Sequence, residues 1–585
     1  MGRCHPIYPI GYTKPMLFLR PLLCLLFIVL APGSLARAAT QFDVTVGFAN
    51  RVVDNTFTPV RVHIQHTGLA IEGKLVLAQT VSTPWRGVFT ETLNQPFKLG
   101  QRANKVFTVY FPLNSTTYPL EARLEDRSGQ IIARHTLDLR DADAGQRLVL
   151  ALSETGFPGE LPSGETVLSL QSEQLPDNVA GFESIRRLYL GRLNLATLGR
   201  ARQQALFQWI MLGGDLVVLG GNNWYIQDTP LLRPWLPLVP EGVEEVDYAF
   251  GDTTPTVSGA LRGSVLFSSA KNRPLILRRS LGRGYVWFTT IDPLAHPPFA
   301  AFWEALKQPP FQDGMSFPQL AQNTFLQQPL SFPSRVLVGV VLMAFIGGVA
   351  VFSWISLRKP WAGATLFGWV LASAIGVVVL LAQPRFSQPL TAAEYGVETI
   401  LSDGTAYRQT WLGLYAQRKE AIQIVFPASA SVRQQLPDNR GNHLYDLNYL
   451  IDTGTRITFS TQPQQIRTLL SNEPASPSLL WHPAPDGIVE VESTLELEQT
   501  WLLHGGKLYA LGRLQPGRPR RFHLESLVEL SVEDLPPAVA ALWSWSIDRR
   551  QSGSFVGGWH GQGRAVFQMP AFKHTYHVVV AQGGL

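Results

Sequence analysis

A chain of 585 residues carrying a net charge of only +5, with no basic run, argues against nucleic acid as a partner. Its 2 cysteines, Cys4 and Cys24, both sit in the N-terminal leader, so the rest of the chain holds no disulfide, thiolate metal site or cysteine nucleophile. The length exceeds what one hydrophobic core organises, and abundant Pro and Gly among few charges suit several turn-rich β-domains.

Residues 1–39 read as a secretory signal peptide. Arg20 precedes the apolar run Leu22 to Leu30, Pro32-Gly33 breaks it, and Ala36-Arg37-Ala38 offers a small-x-small cleavage site. Met16 is an alternative start, and an uncleaved anchor is an alternative fate.

Residues 40–142 alternate as a β-sandwich does. Phe42-Val44-Val46, Val60-Val62-Ile64, Leu75-Leu77 and Val106 to Phe111 are strand-like runs, separated by turns such as Thr67-Gly68 and Glu72-Gly73. His63 and His66, three apart on a strand, point to opposite faces and are read as ordinary strand residues rather than a metal pair.

From residue 143 to 308 the pattern changes to alternating strand and helix. The apolar run Leu148 to Leu152 ends at Ser153-Glu154-Thr155-Gly156. Leu198, Ala205, Leu206, Trp209, Ile210 and Leu212 follow helical spacing, Gly213-Gly214 supplies a C-cap, and Asp215 to Leu219 is a buried-type strand ending at Gly220-Gly221. This grammar predicts an α/β domain with a parallel sheet. Leu281-Gly282-Arg283-Gly284 reads as a hairpin turn at its edge.

A linker over 309–335 leads to two uncharged apolar segments, Val336 to Leu357 and Trp361 to Ala382, separated by Arg358-Lys359-Pro360. Each has the ~20 residues needed to span a bilayer, so residues 336–382 are expected to form a two-helix transmembrane hairpin, with the turn in the cytoplasm. Ala364, Gly368, Ala372 and Gly376 form a small-residue stripe where another helix packs, from the same hairpin or another membrane protein. Residues 391–585 read as a mainly-β domain, with Gly505-Gly506 joining two strands.

Trp209 to Gly221, with Gly284-Tyr-Val-Trp-Phe-Thr-Thr-Ile-Asp-Pro293, resembles the class I glutamine amidotransferase-like domain of large bacterial membrane proteins of unknown function. The strand Pro59 to Val62 and the turn-rich Leu511 to Gly517 are similar to the flanking domains of those proteins. The resemblance implies a multidomain chain: N-terminal β-sandwich, flavodoxin-like α/β domain, transmembrane hairpin, C-terminal mainly-β domain. It also implies gene neighbourhoods with MoxR-type ATPases or transporters.

The amidotransferase cysteine is missing outside the leader, so that activity is not expected. Gly220, Gly221 and Asn222 are ligand-binding candidates because sites in parallel sheets lie beyond strand carboxyl ends, and the set is completed by Ser153 with Glu154 after the first strand, as a nucleophile, and Asp292 before Pro293, as a general base. A polar strand end, a structural turn and a cap are their ordinary readings. No cofactor or metal is expected.

The leading functional expectation is a non-catalytic scaffold or accessory subunit of a membrane complex, anchored in the bacterial inner membrane with both large regions outside the cytoplasm. Glycan binding in polysaccharide export, by likeness of outline to the periplasmic subunit of cellulose synthase, is the first alternative. A hydrolase using Ser153 is the second, and it requires a histidine and a carboxylate within hydrogen-bond reach.

Overall fold

The structure, a computed structural model, describes residues 40–583 apart from internal stretches, the longest of which fall within 308–334, 359–389, 435–445 and 547–571. Strands Thr40–Val46, Thr56–His66 and Asn104–Leu113 form a three-stranded antiparallel sheet. Their period-2 apolar residues, Val44, Val46, Val60, Val62 and Ile64, are all buried, as alternation on a half-buried sheet requires.

The sheet facing it draws on both ends of the chain. Seven strands run in the order Ala421–Pro427, Gly454–Ser460, Leu447–Ile451, Gly87–Leu99, Ile71–Thr83, Leu120–Asp126 and Ile131–Leu137. Leu447–Ile451 lies parallel to Gly87–Leu99, with Leu447 opposite Glu91 and Asn448 opposite Thr92. Leu75, Leu77, Leu93 and Phe111 share one core with Ile424, Phe426, Tyr449 and Ile457. Each such buried side chain stabilises the fold by about 1.5–3 kcal/mol relative to exposure, which welds residues more than three hundred positions apart.

The middle of the chain builds a second seven-stranded sheet. Leu168–Leu170, Leu148–Leu152, Ile185–Leu190, Asp215–Leu219 and Gly284–Thr289 are consecutive and parallel. Pro274–Leu281 and Ser264–Ser268 extend it antiparallel. Gly282 turns the hairpin at φ +59, a left-handed conformation that glycine adopts without a Cβ penalty.

A nine-stranded sheet completes the C-terminal region, in the order Ser431–Gln434, Gln465–Ala475, Ala406–Ala416, Leu390–Ile400, Phe572–Gly583, Ser554–His560, Leu497–His504, Lys507–Leu514 and Val528–Leu530. Arg408 stands directly opposite Glu398 on one neighbouring strand and Glu473 on the other. Its guanidinium lies 2.8 Å from Glu398 and 3.0 Å from Glu473, all three buried. The region also packs on the middle sheet. Tyr407 enters that sheet's core, and Arg433 pairs with Glu183 at 2.6 Å.

Two expectations are corrected here. The middle region is not a flavodoxin-like, amidotransferase-like α/β domain. Only one long crossover helix, Arg200–Met211, joins neighbouring parallel strands, whereas residues 153–184 connect through short 3-10 turns and residues 238–281 through antiparallel strands. One helix–Gly-Gly–strand unit produced the α/β pattern in the sequence, but the chain as a whole is dominated by strands. Nor is a transmembrane hairpin seen. The first apolar segment forms helix Arg335–Arg358, whose side chains are described only in part, and the second segment lies mostly outside the described residues. Among the described residues no helix is long and apolar enough to cross a membrane. An uncharged run predicts exclusion from water, and that alone does not select lipid. The leader at 1–39 lies outside the described residues.

Candidate functional site

The ligand candidates from the sequence sit at the carboxyl edge of the parallel strands. Leu148–Leu152 delivers Ser153 and Thr155, Ile185–Leu190 delivers Gly191 and Arg192, Asp215–Leu219 ends at Leu219, and Asp292 follows Gly284–Thr289. With Phe157 and Leu294 these residues line a cavity of about 500 Å³. A crevice outside the carboxyl ends is where strand order reverses in such sheets, here beside the first strand, and where ligands bind.

Local geometry fixes this edge tightly. A Cβ on Gly191 would stand 2.8 Å from the Ser153 hydroxyl. One on Gly221, whose φ is +72, would stand 2.5 Å from the Asp292 amide. Gly220 donates its backbone N–H to the Thr289 carbonyl at 2.9 Å, and Gly221 donates to Thr290 at 3.2 Å. These two glycines therefore support the turn bearing Asp292 and do not line the cavity. Asn222 is exposed beside them, and Glu154 is exposed with its backbone N–H donated to Arg192. The structure thus brings together Ser153 and Asp292, and leaves Glu154 and Asn222 outside.

The chemistry at this edge is polar. Ser153 Oγ lies 3.1 Å from Thr155 Oγ1, and Asp292 Oδ1 accepts the backbone N–H of Leu294 at 3.0 Å, an Asx-type turn. Among the described residues no histidine lines the cavity. His296 lies outside them.

A second, larger cavity was not legible in the sequence. It is a trough of about 700 Å³ on the outer face of the two-ended sheet. Its lining comes from six adjacent strands: Arg123 and Glu125, Lys74 and Val76, Thr92 and Asn94, Asn448, Thr458 and Ser460, and Gln423. Six strands span roughly 24 Å across the sheet. The charges on its walls are matched, since Glu125 lies 3.1 Å from Lys74 and 3.5 Å from Arg123. At its centre Asn94 donates to the Asn448 side chain at 2.5 Å, and Asp446 accepts the Thr90 backbone N–H at 2.8 Å.

Beneath this seam lies Glu91, buried with hydrogen bonds from Asn114 and, at 3.2 Å, from the Tyr449 hydroxyl. Burial pushes its carboxyl up to about 7, against the opposing effect of those hydrogen bonds and of Arg433. The sequence did carry a signal for it. Phe89, Glu91 and Leu93 occupy one inward register, and a carboxylate in that register implies a buried partner.

A further buried charge pair lies in the middle sheet. Arg187 and Asp215 pair at 3.3 Å near the amino ends of the parallel strands, with the Asp215 carboxyl pushed up to about 6 by burial. His66 contacts Thr40 at 3.0 Å and His63 contacts Asn104 at 2.7 Å. Among the described residues no cluster suited to a metal ion occurs. Of the small-residue stripe, Ala364 and Gly376 lie outside the described residues. Gly368 faces open space, and the close approach is instead Gly348 against Val370, at 3.2 Å for an added Cβ. Ala372 is exposed.

Residues 39–140 match a family described as a domain of unknown function, DUF8726. That stretch supplies the first three trough strands; the others lie beyond the match. No curated protein matches the chain. Similar solved structures include the exo-beta-1,4-mannosidase Op5Man5 from Opitutaceae bacterium strain TAV5, at 15% identity over 28% of this chain and 34% of that one, TM-score 0.20. CsgH of R. palustris aligns at 15% identity over 18% of this chain and 96% of that one, TM-score 0.13. The Fcho1 Mu homology domain of Danio rerio aligns at 8% identity over 33% and 97%, TM-score 0.19. This chain spans about a third of the mannosidase's length. At these TM-scores the likenesses carry nothing about function.

Proposed function

We propose that the protein is a non-catalytic scaffold or accessory subunit of a larger assembly, acting outside the cytoplasm and docking through the trough on its two-ended sheet. One observation carries this: the chain closes its N- and C-terminal regions into a single sheet, and a cavity of about 700 Å³ straddles that closure. A recognition surface built on paired strands is rigid, which lowers the entropic cost of binding. Export rests on the leader at 1–39. The test is site-specific photo-crosslinking in the native cell, with the probe at Asn448 in the trough and, as control, at exposed Glu529. The reading expects a discrete adduct from Asn448 alone; equal labelling from both positions, or none from Asn448, contradicts it.

A glycan as the docked partner is the second reading, favoured by the trough's amide and hydroxyl lining and its balanced charge. Against it, Trp287, Trp411 and Trp501 are fully buried, so they offer no stacking platform. Retention on neutral polysaccharide gels that is lost in Asn448→Ala supports it, and unretarded migration on all of them rejects it.

A further inference from the structure

The strand-end cavity is separate from the trough, and its lining selects a ligand of definite chemistry. Its volume of about 500 Å³ lies in the range of small-molecule sites, and Phe157, Leu219 and Leu294 give its walls an apolar part beside the polar groups. Phe157 is held by Tyr189, ring centroids 5.4 Å apart. Among the described residues, one cation, Arg192, one carboxylate, Asp292, and the hydroxyls of Ser153 and Thr155 come into this space. Among the described residues Arg192 makes no ion pair, although it borders the cavity on an exposed turn.

A single guanidinium suits one carboxylate, because it presents a planar fork of donors to two oxygens. A phosphate or dicarboxylate would set its second negative charge against Asp292 in the same small space. A donor on the ligand, by contrast, finds acceptors in the Asp292 carboxylate and the two hydroxyls. We propose that this cavity binds a small monocarboxylic acid bearing an ammonium or hydroxyl group beside the carboxylate, an amino or hydroxy acid, with Arg192 on the carboxylate and Asp292 and Ser153 facing the donor. The site is independent of the docking reading above and stands or falls without it.

The experiment uses the full chain in thermal-shift and calorimetric titrations. The probes are the common L-amino acids and lactate, their carboxamide counterparts, and phosphate. The expected result is stabilisation by at least one amino or hydroxy acid and by no carboxamide or phosphate. Arg192→Gln should weaken that binding about tenfold or more, as loss of a charge-assisted hydrogen bond does. Asp292→Asn, which retains the turn's acceptor oxygen, should weaken it comparably for amino acids. Melting of each variant without ligand is the folding control, and Thr155→Val, at an exposed position, is a second probe of the same wall. The proposal is overturned if no acid in the panel binds, if carboxamides bind as well as acids, or if Arg192→Gln binds with unchanged affinity.

Discussion

Replacing Glu91 with glutamine separates the cost of a buried charge from the worth of the seam around it. In the folded chain the Glu91 carboxyl titrates at about 7, against 4.5 for an ordinary glutamate, chiefly because it is buried. A folded value raised above the unfolded one favours folding while the group is protonated. Its stabilising contribution is complete below pH 4.5 and is lost as the pH rises through about 7. The gap corresponds to about 3 kcal/mol at most. Glutamine cannot ionise, but it disturbs the hydrogen bonds from Asn114 and Tyr449, at about 1 kcal/mol. Glu91→Gln should therefore be less stable than the parent near pH 4.5 and more stable, by about 1–2 kcal/mol, near pH 8. Urea unfolding followed by tryptophan fluorescence across that interval reads the difference directly, because other titrating groups cancel between the two chains. A difference that is flat with pH would refute the reasoning.

Other substitutions probe the remaining buried contacts. Arg408→Met leaves Glu398 and Glu473 facing each other without their shared cation, and should cost about 3–5 kcal/mol in urea unfolding; a loss below about 1 kcal/mol would mean the pair is not buried as described. Gly191→Ala should destabilise by about 1–3 kcal/mol through the Ser153 side chain, and Ser153→Gly in the same chain should restore most of it. Additive losses in that pair would place the two residues apart. Tyr449→Phe removes the hydroxyl donated to Glu91 and should cost about 1–3 kcal/mol at neutral pH, measured by the same unfolding assay.

Local order was readable from the residues, and distant pairing was not. The alternation of Val60, Val62 and Ile64 lies within strand Thr56–His66, and the glycine turn at 282 joins two strands as its pattern implies. Helix Arg200–Met211 follows from the spacing of Leu206, Trp209 and Ile210. Each of these signals is a period or a turn, carried by neighbours in sequence. The pairing of Gly87–Leu99 with Leu447–Ile451 has no such local trace, because a strand's period says which face is buried and never which strand lies beside it. The trough was missed for the same reason: Asn94 and Asn448 are unremarkable polar strand residues until the fold sets them 2.5 Å apart. At the parallel sheet, Ser153 was readable as a polar strand-end residue and Asp292 as a polar residue before Pro293. The rule that ligands sit beyond strand carboxyl ends pointed to Gly220, Gly221 and Asn222, which do not line the cavity, because sequence proximity to a strand end does not fix which way the chain turns.

The closure of the chain's two ends into one sheet underlies both the trough and the docking role assigned to it. Thr92 and Asn448 are directly opposed on the parallel strands and share the trough face. Neighbouring strands bring such a pair within disulfide range, at about 4.4–6.8 Å between Cα atoms. Cysteines at both positions, in a chain whose Cys4 and Cys24 are replaced by serine, should oxidise to one intramolecular disulfide. After proteolysis that bond should hold an N-terminal fragment to a C-terminal one, released by reductant. Free thiols at both positions under the same oxidation, with fragments that separate without reductant, would contradict the closure and the trough with it.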